Sequence, residues 1–237
     1  MNVSVSSERP AGRRADVKEG WMGRAGSRLC RVVVIVLLAS GLTHAAVAVE
    51  DETTKRYRDS YVAEAAGDLA AAVAALRQVP VERRHDYFYQ LRLGWLLYLN
   101  AEHEASTTAY RRALALEPDA VEPRLGLLLP LMAQRRWEEA EEVARSTLAI
   151  DARSYLAGSR LAFILFNQGR YAEAIARYRG LIELYPADLE MRAGLGWSLA
   201  RAGKSREAIA EFEAIIAVAP AYQSALEGLQ YARSNRL

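Results

Sequence analysis

The stretch YLAGSRLAFILFNQGRYAEAIARYRGLIELYPAD, residues 155–188, decides the fold. Leu161, Ala162 and Leu165 recur at i, i+1, i+4 and predict a first helix with one apolar stripe. Gly169 ends it, because glycine enters the left-handed region without a Cβ penalty. Tyr171, Ala174, Tyr178 and Leu181 then recur at i, i+3, i+7, i+10 and predict a second helix. Pro186 stops that helix, since proline offers no N–H to the ladder. Ala162 and Ala174 are small where two such helices would cross. A hairpin of this kind cannot bury its apolar faces alone, so it requires neighbours.

The neighbours stand in register. A shift of one unit takes Ala174 to Ala208 or Ala140, and two units back reach Ser106. Tyr178 maps onto Phe212, Ala144 and Tyr110, and Pro186 onto Pro220, Ala152 and Pro118. Leu161 maps onto Leu195, Leu127, Leu93 and, further on, Leu229. The turn glycine recurs at Gly203, while Arg135 and Ala101 depart from it.

This pattern of small residue, aromatic and proline resembles the tetratricopeptide repeat family over residues 87–222. The resemblance implies an all-α fold, a right-handed α-solenoid of stacked helix–turn–helix repeats. Its units would be 87–120, 121–154, 155–188 and 189–222, preceded by a degenerate repeat at 53–86 and closed by a capping helix at 223–237. It also implies a partner: the family's usual activity is to hold a protein or peptide segment in a concave groove lined by first helices. Some members grip a C-terminal carboxylate with Lys, Asn and Arg. Here those positions carry Leu91, Trp95, Gly126 and Leu156, and only Arg160 matches, so a clamp of that kind is not expected.

The beginning of the chain has a different character. Arg13, Arg14, Lys18, Arg24, Arg28 and Arg31 precede an apolar run, and Ala46 and Ala48 supply small residues at A-x-A spacing. That order predicts a signal peptide over residues 1–48, cut after Ala48. Met22 offers an alternative start that would give a leader of ordinary proportions. The alternative is an uncleaved anchor over residues 32–49, which would hold the protein at a membrane. Either places the repeats outside the cytoplasm, in a periplasmic or other extracytoplasmic space. Cleavage would also remove Cys30, the single cysteine, leaving stability to stacking alone.

Charge argues against one class of partner. The whole chain carries 31 Lys and Arg against 29 Asp and Glu, and seven of those basic residues but only three of the acidic ones fall in 1–48. The remainder is slightly acidic, so nucleic-acid binding loses its electrostatic argument.

The repeats are not all alike. In the first, Gly67 marks the turn, Leu69, Ala72 and Leu76 follow, and an early Pro80 shortens the second helix before the charged linker VERRHD. In the second, Leu93, Gly94 and Leu97 form the packing stripe, with Ala105, Tyr110, Ala113 and Leu114 on the second helix. Asn100 is expected to take the left-handed turn position there. In the third, Leu128 replaces a small residue and Ala144 an aromatic, which predicts a volume-conserving exchange. Pro130 falls inside that repeat's first helix and predicts a kink. At the end, Leu226, Leu229 and Tyr231 are expected to cover the last apolar face.

No catalytic constellation is legible, and no metal or other cofactor is implied. His85 and His103 lack ligand spacing, and paired glutamates such as Glu138 and Glu139 suit a solvated helix face. The sequence reads as a non-enzymatic scaffold or adaptor.

Its binding strip is read from a second apolar stripe on the first helices. Tyr57, Tyr61, Phe88, Trp95 and Tyr98 lie on it, then Phe163, Phe166 and Trp197, flanked by Arg92, Arg160, Asn167 and Arg201. Leu125, Leu129 and Leu156 share the stripe and are assigned to the core. Trp95, Tyr98, Phe163 and Trp197 are expected to stay open, making a patch larger than monomers usually tolerate. An apolar or aromatic peptide segment would cover it. The alternative is an envelope polysaccharide or glycan strand, which would stack on the aromatics during export or assembly.

Overall fold

A computed structural model describes residues 51–235. The predicted leader, its alternative anchor and the last two residues lie outside that range. Among the described residues the structure is helical throughout, with eleven α-helices and one 3-10 turn. None of these helices is long and apolar enough to cross a membrane.

The first repeat pairs α1 (Glu52–Ala65) with α2 (Leu69–Leu76). The 3-10 turn Val81–Arg83 then leads to four hairpins of near-identical dimensions. These are α3 (Tyr87–Leu99) with α4 (His103–Leu116), α5 (Val121–Ala133) with α6 (Trp137–Ile150), α7 (Tyr155–Asn167) with α8 (Tyr171–Leu184), and α9 (Leu189–Arg201) with α10 (Ser205–Val218). A last helix, α11 (Gln223–Ser234), packs on α9 and α10. Each hairpin packs on the next, and each first helix from α3 onward also touches the first helix of the following repeat. This part of the chain is an α-solenoid.

One turn geometry serves every hairpin. Gly67, Ala101, Arg135, Gly169 and Gly203 all adopt positive φ. After each, the next N–H reaches back to a carbonyl near the helix end, as in Lys204 to Leu199 at 2.9 Å and Glu102 to Leu97 at 2.8 Å. The left-handed residue of the second repeat is therefore Ala101 at φ 60°, not Asn100, whose φ is −81°. The Asn100 amide donates instead to Glu102 Oε1 at 2.8 Å. The hydrogen-bond pattern fixes which residue turns left-handed, and here it outweighs asparagine's own preference.

The aromatics of the second helices set the spacing of the first helices. A Cβ added to Gly94 would stand 2.9 Å from the Tyr110 ring, and one added to Gly126 only 2.2 Å from it. Phe212 stands in the same way against Gly196 and Gly228, and Tyr178 against Gly194. Each ring is thus lodged between its own first helix and the next. The third repeat lacks the ring: Ala144 stands in its place, and both Ala144 and Leu128 are fully buried. α5 runs without interruption through Pro130.

The core falls into two clusters that meet within the second repeat. Leu76, Val79, Tyr89, Leu96 and Ala109 belong to the first, and Tyr110, Leu128 and most of the apolar residues buried beyond them to the second. In α11 the buried residues are Ala225, Gly228 and Ala232, while Leu229 and Tyr231 pack partly against the core. Leu226 is left 40% exposed, so it does not cover the last face as its apolar character suggested. The Phe212 ring against Gly228 turns the small side of α11 inward.

Candidate partner-binding groove

A groove of about 860 Å³ opens along α5, α7 and α9 and reaches the start of α11. Met132, Leu156, Phe163, Phe166, Met191 and Trp197 give it an apolar lining, and Arg160, Glu190 and Arg201 add charge. A smaller recess of about 410 Å³ adjoins it, sharing Met132 and Phe163 and adding Arg135, Trp137 and Asn167.

Two residues of α7 dominate its open surface. Leu156 is 46% exposed and Phe163 43%, two helical turns apart on one face. Leu156 is thus open rather than core, contrary to the assignment made from its stripe. The Phe163 ring meets Trp137 edge-on at 6.2 Å. Phe166 is more covered and packs on Tyr171, with ring centres 5.7 Å apart.

Trp197 divides its allegiance. Its ring packs at 5.7 Å on Phe212 and at 5.6 Å on Tyr231, and its Nε1 donates to Ser224 Oγ at 3.0 Å. It lines the groove and also seals the last repeat, so it is not the open residue that was expected. The rest of the α9 face carries Glu190, Gly194 and Arg201 at helical spacing with Trp197. Arg201 is exposed, its guanidinium 5.7 Å from the Tyr171 ring centre. Asn167 is exposed as well, and its amide donates to the Phe163 carbonyl at 2.8 Å.

The polar end of the groove is built on Asp188, which caps α9 by accepting from the N–H groups of Glu190 and Met191. Asp188 also accepts from the Tyr155 hydroxyl. Burial and that bond to an acid hold the Tyr155 hydroxyl well above the ordinary phenol range.

The remaining residues of the expected strip lie elsewhere. Tyr57, Tyr61, Phe88, Arg92, Trp95 and Tyr98 cluster on α1 and α3, and none of them lines the 860 Å³ groove. Tyr57 packs on Phe88 at 5.0 Å, and the Arg92 guanidinium covers the Tyr61 ring at 3.6 Å. Arg92 is only 6% exposed: it donates to Ser60 Oγ and forms an ion pair with Glu64. It is a buried tie between α1 and α3, not a flank of the strip. Trp95 donates to Glu64 Oε1 at 2.7 Å and stacks near Tyr98, 6.1 Å away.

Glu190, Tyr155 and Ser159 were missed from the sequence. The recurrence of Glu190, Gly194, Trp197 and Arg201 along α9 was the signal that could have found the first.

The profile of the tetratricopeptide repeat family matches residues 165–230. Solved structures extend the likeness. A tetratricopeptide repeat protein from Parabacteroides merdae superposes with a TM-score of 0.70 at 16% identity, over 78% of this chain and 73% of its own. MamA from Desulfovibrio magneticus RS-1 gives 0.68 at 15% identity, over 74% of this chain and 99% of its own. MamA AMB-1 gives 0.57 at 23%, over 68% and 95%. At such identities the likeness is one of fold. No curated protein sequence matches the chain. The family's own sequence pattern is thus matched over residues 165–230, and the hairpins before them share its fold.

Proposed function

We propose that this chain is a non-enzymatic protein-interaction scaffold that holds an apolar segment of a partner protein in the groove of α5, α7 and α9. The observation that carries the reading is the exposure of Leu156 and Phe163 on the open face of a helix whose opposite face is buried. Both are already about half covered, so completing the burial would contribute roughly 1 kcal/mol from each. Met132, Phe166 and Trp197 around them make a concave apolar surface of the kind that takes side chains of a peptide.

The test compares capture by immobilised wild-type protein with capture by Leu156→Ser and Phe163→Ser, using envelope extract and quantitative mass spectrometry. Both residues are exposed, so melting temperature should hold while the specific partner is lost. Tyr61→Ser, on the α1–α3 cluster, should capture normally. Capture that survives both groove changes rejects the reading.

The scaffold would act outside the cytoplasm. That part rests on the basic, apolar and small-residue order of residues 1–48. N-terminal sequencing of the exported form should begin at Val49, and a full-length cytoplasmic product rejects export.

A further inference from the structure

Arg92 and Arg160 occupy the same position two repeats apart, and the chain treats them differently. Arg92 on α3 finds Ser60 and Glu64 on the preceding first helix, which accept from its guanidinium. For Arg160 on α7, the residues at those registers on α5 are Leu128 and Met132. Neither offers an oxygen acceptor or a balancing charge. Among the described residues, Arg160 has one hydrogen bond, from Nη1 to the Leu125 carbonyl at 2.6 Å, and no ion pair.

The register explains how an arginine came to stand there. At Gly126, Gly194 and Gly228 the same position abuts an aromatic ring of the preceding second helix. Before Arg160 that residue is Ala144, fully buried, and the glycine gives way to a long side chain. Arg160 is half-buried and lines the groove. Burial makes its charge costlier to hold, and the side chains that act on it are those of Tyr98 and Tyr110. Glu190, the carboxylate lining the groove, forms no ion pair with it. A half-buried cation with a single carbonyl partner is left wanting an anion.

Resting on the reading of the groove as the binding site, we propose that the bound segment presents an internal Asp or Glu side chain to Arg160. The partner would thus supply the acid that Glu64 supplies to Arg92 within the chain. Apolar partner residues on either side of that acid would cover Leu156 and Phe163, which flank Arg160 along α7. An internal residue fits better than a chain terminus, because the groove continues past Arg160 in both directions, toward Tyr155 and Glu190 and into the recess at Trp137. A planar guanidinium pairs with a carboxylate through two parallel bonds, which would also fix the register of the partner.

The experiment selects ligands for the full mature chain from two displayed libraries of random dodecamers. One library is embedded at both ends and the other has free C-termini. The embedded library should yield an acidic residue flanked by aliphatic or aromatic ones, and Glu→Gln in the best peptide should weaken binding at least tenfold by fluorescence anisotropy. Against Arg160→Met the acid should vanish from the selected motif while the apolar positions persist. Arg160→Lys should keep the acid with lower affinity, and thermal melts confirm that each variant is folded. An apolar motif with no acid, an acid that survives Arg160→Met, or acids selected only at free C-termini each overturns the proposal. Failure of the groove reading looks different: the selected peptides then bind Phe163→Ser and Leu156→Ser as well as wild type.

Discussion

The Cβ that Gly126 lacks would stand 2.2 Å from Cε1 of Tyr110, so the ring of one repeat occupies the place of a side chain in the next. This single relationship couples α4 to α5 across a repeat boundary. Gly126→Ala should therefore force the ring aside and cost about 1–3 kcal/mol in urea unfolding. Shrinking the ring in the double variant Tyr110→Leu, Gly126→Ala should recover part of that loss, giving a non-additive cycle. Additive losses would mean that the ring and the glycine do not share the space.

The turns offer an opposite change. Ala101 and Arg135 hold φ of 60° and 56°, a conformation costing L residues roughly 1–2 kcal/mol. Glycine relieves that strain but has more freedom to lose on folding. Ala101→Gly and Arg135→Gly should each stabilise by about 1 kcal/mol, read as a raised denaturant midpoint at unchanged slope. Gly169→Ala should do the reverse.

Glu64 binds Arg92 and Trp95 together. Glu64→Gln leaves a guanidinium that is 6% exposed without its counter-charge and should cost roughly 2–4 kcal/mol. Because the first core cluster ends within the second repeat, the loss should appear first in α1 and α2. Hydrogen exchange would show those helices opening while α7 to α10 stay protected. Uniform loss of protection would contradict a separable first repeat.

Stability should fall at both ends of the pH scale. Hydrogen bonds from Arg136 hold the Glu139 carboxyl below its usual range, and for Glu141 bonds from Arg145 and Arg170 outweigh an opposing effect of burial. Depressed carboxyls favour the fold above about pH 4.5 and lose that contribution as pH falls through their folded values. Burial pushes the Tyr57 phenol up to about 12, and those of Tyr110 and Tyr178 higher still. A raised phenol favours the fold below pH 10, and this is lost as pH rises through the folded value. Urea midpoints should be flat between pH 6 and 9 and drop beyond. Tyr178→Phe should soften the alkaline drop, and an unchanged alkaline limb would show that Tyr178 does not titrate on unfolding.

By itself, the sequence determined the repeat. The recurrence of Leu161, Ala174, Tyr178 and Pro186 at fixed offsets is local information, because helix faces, breakers and the crossing of two helices need only neighbours in the chain. It was enough for the hairpins and their order. It failed at Asn100, where the choice of left-handed residue belongs to the hydrogen bonds of the closed turn. It failed again at Leu156, Trp197 and Leu226, because periodicity says which side of a helix a residue occupies but not whether another helix covers that side. Cover is set by how adjacent first helices sit on the rings of Tyr110, Tyr178 and Phe212, a three-dimensional distance with no trace in the spacing of letters. The contrast between Arg92 and Arg160 arises in the same way. The two residues look alike in the repeat, and only the packed structure gives Glu64 to one and leaves the other facing an open groove.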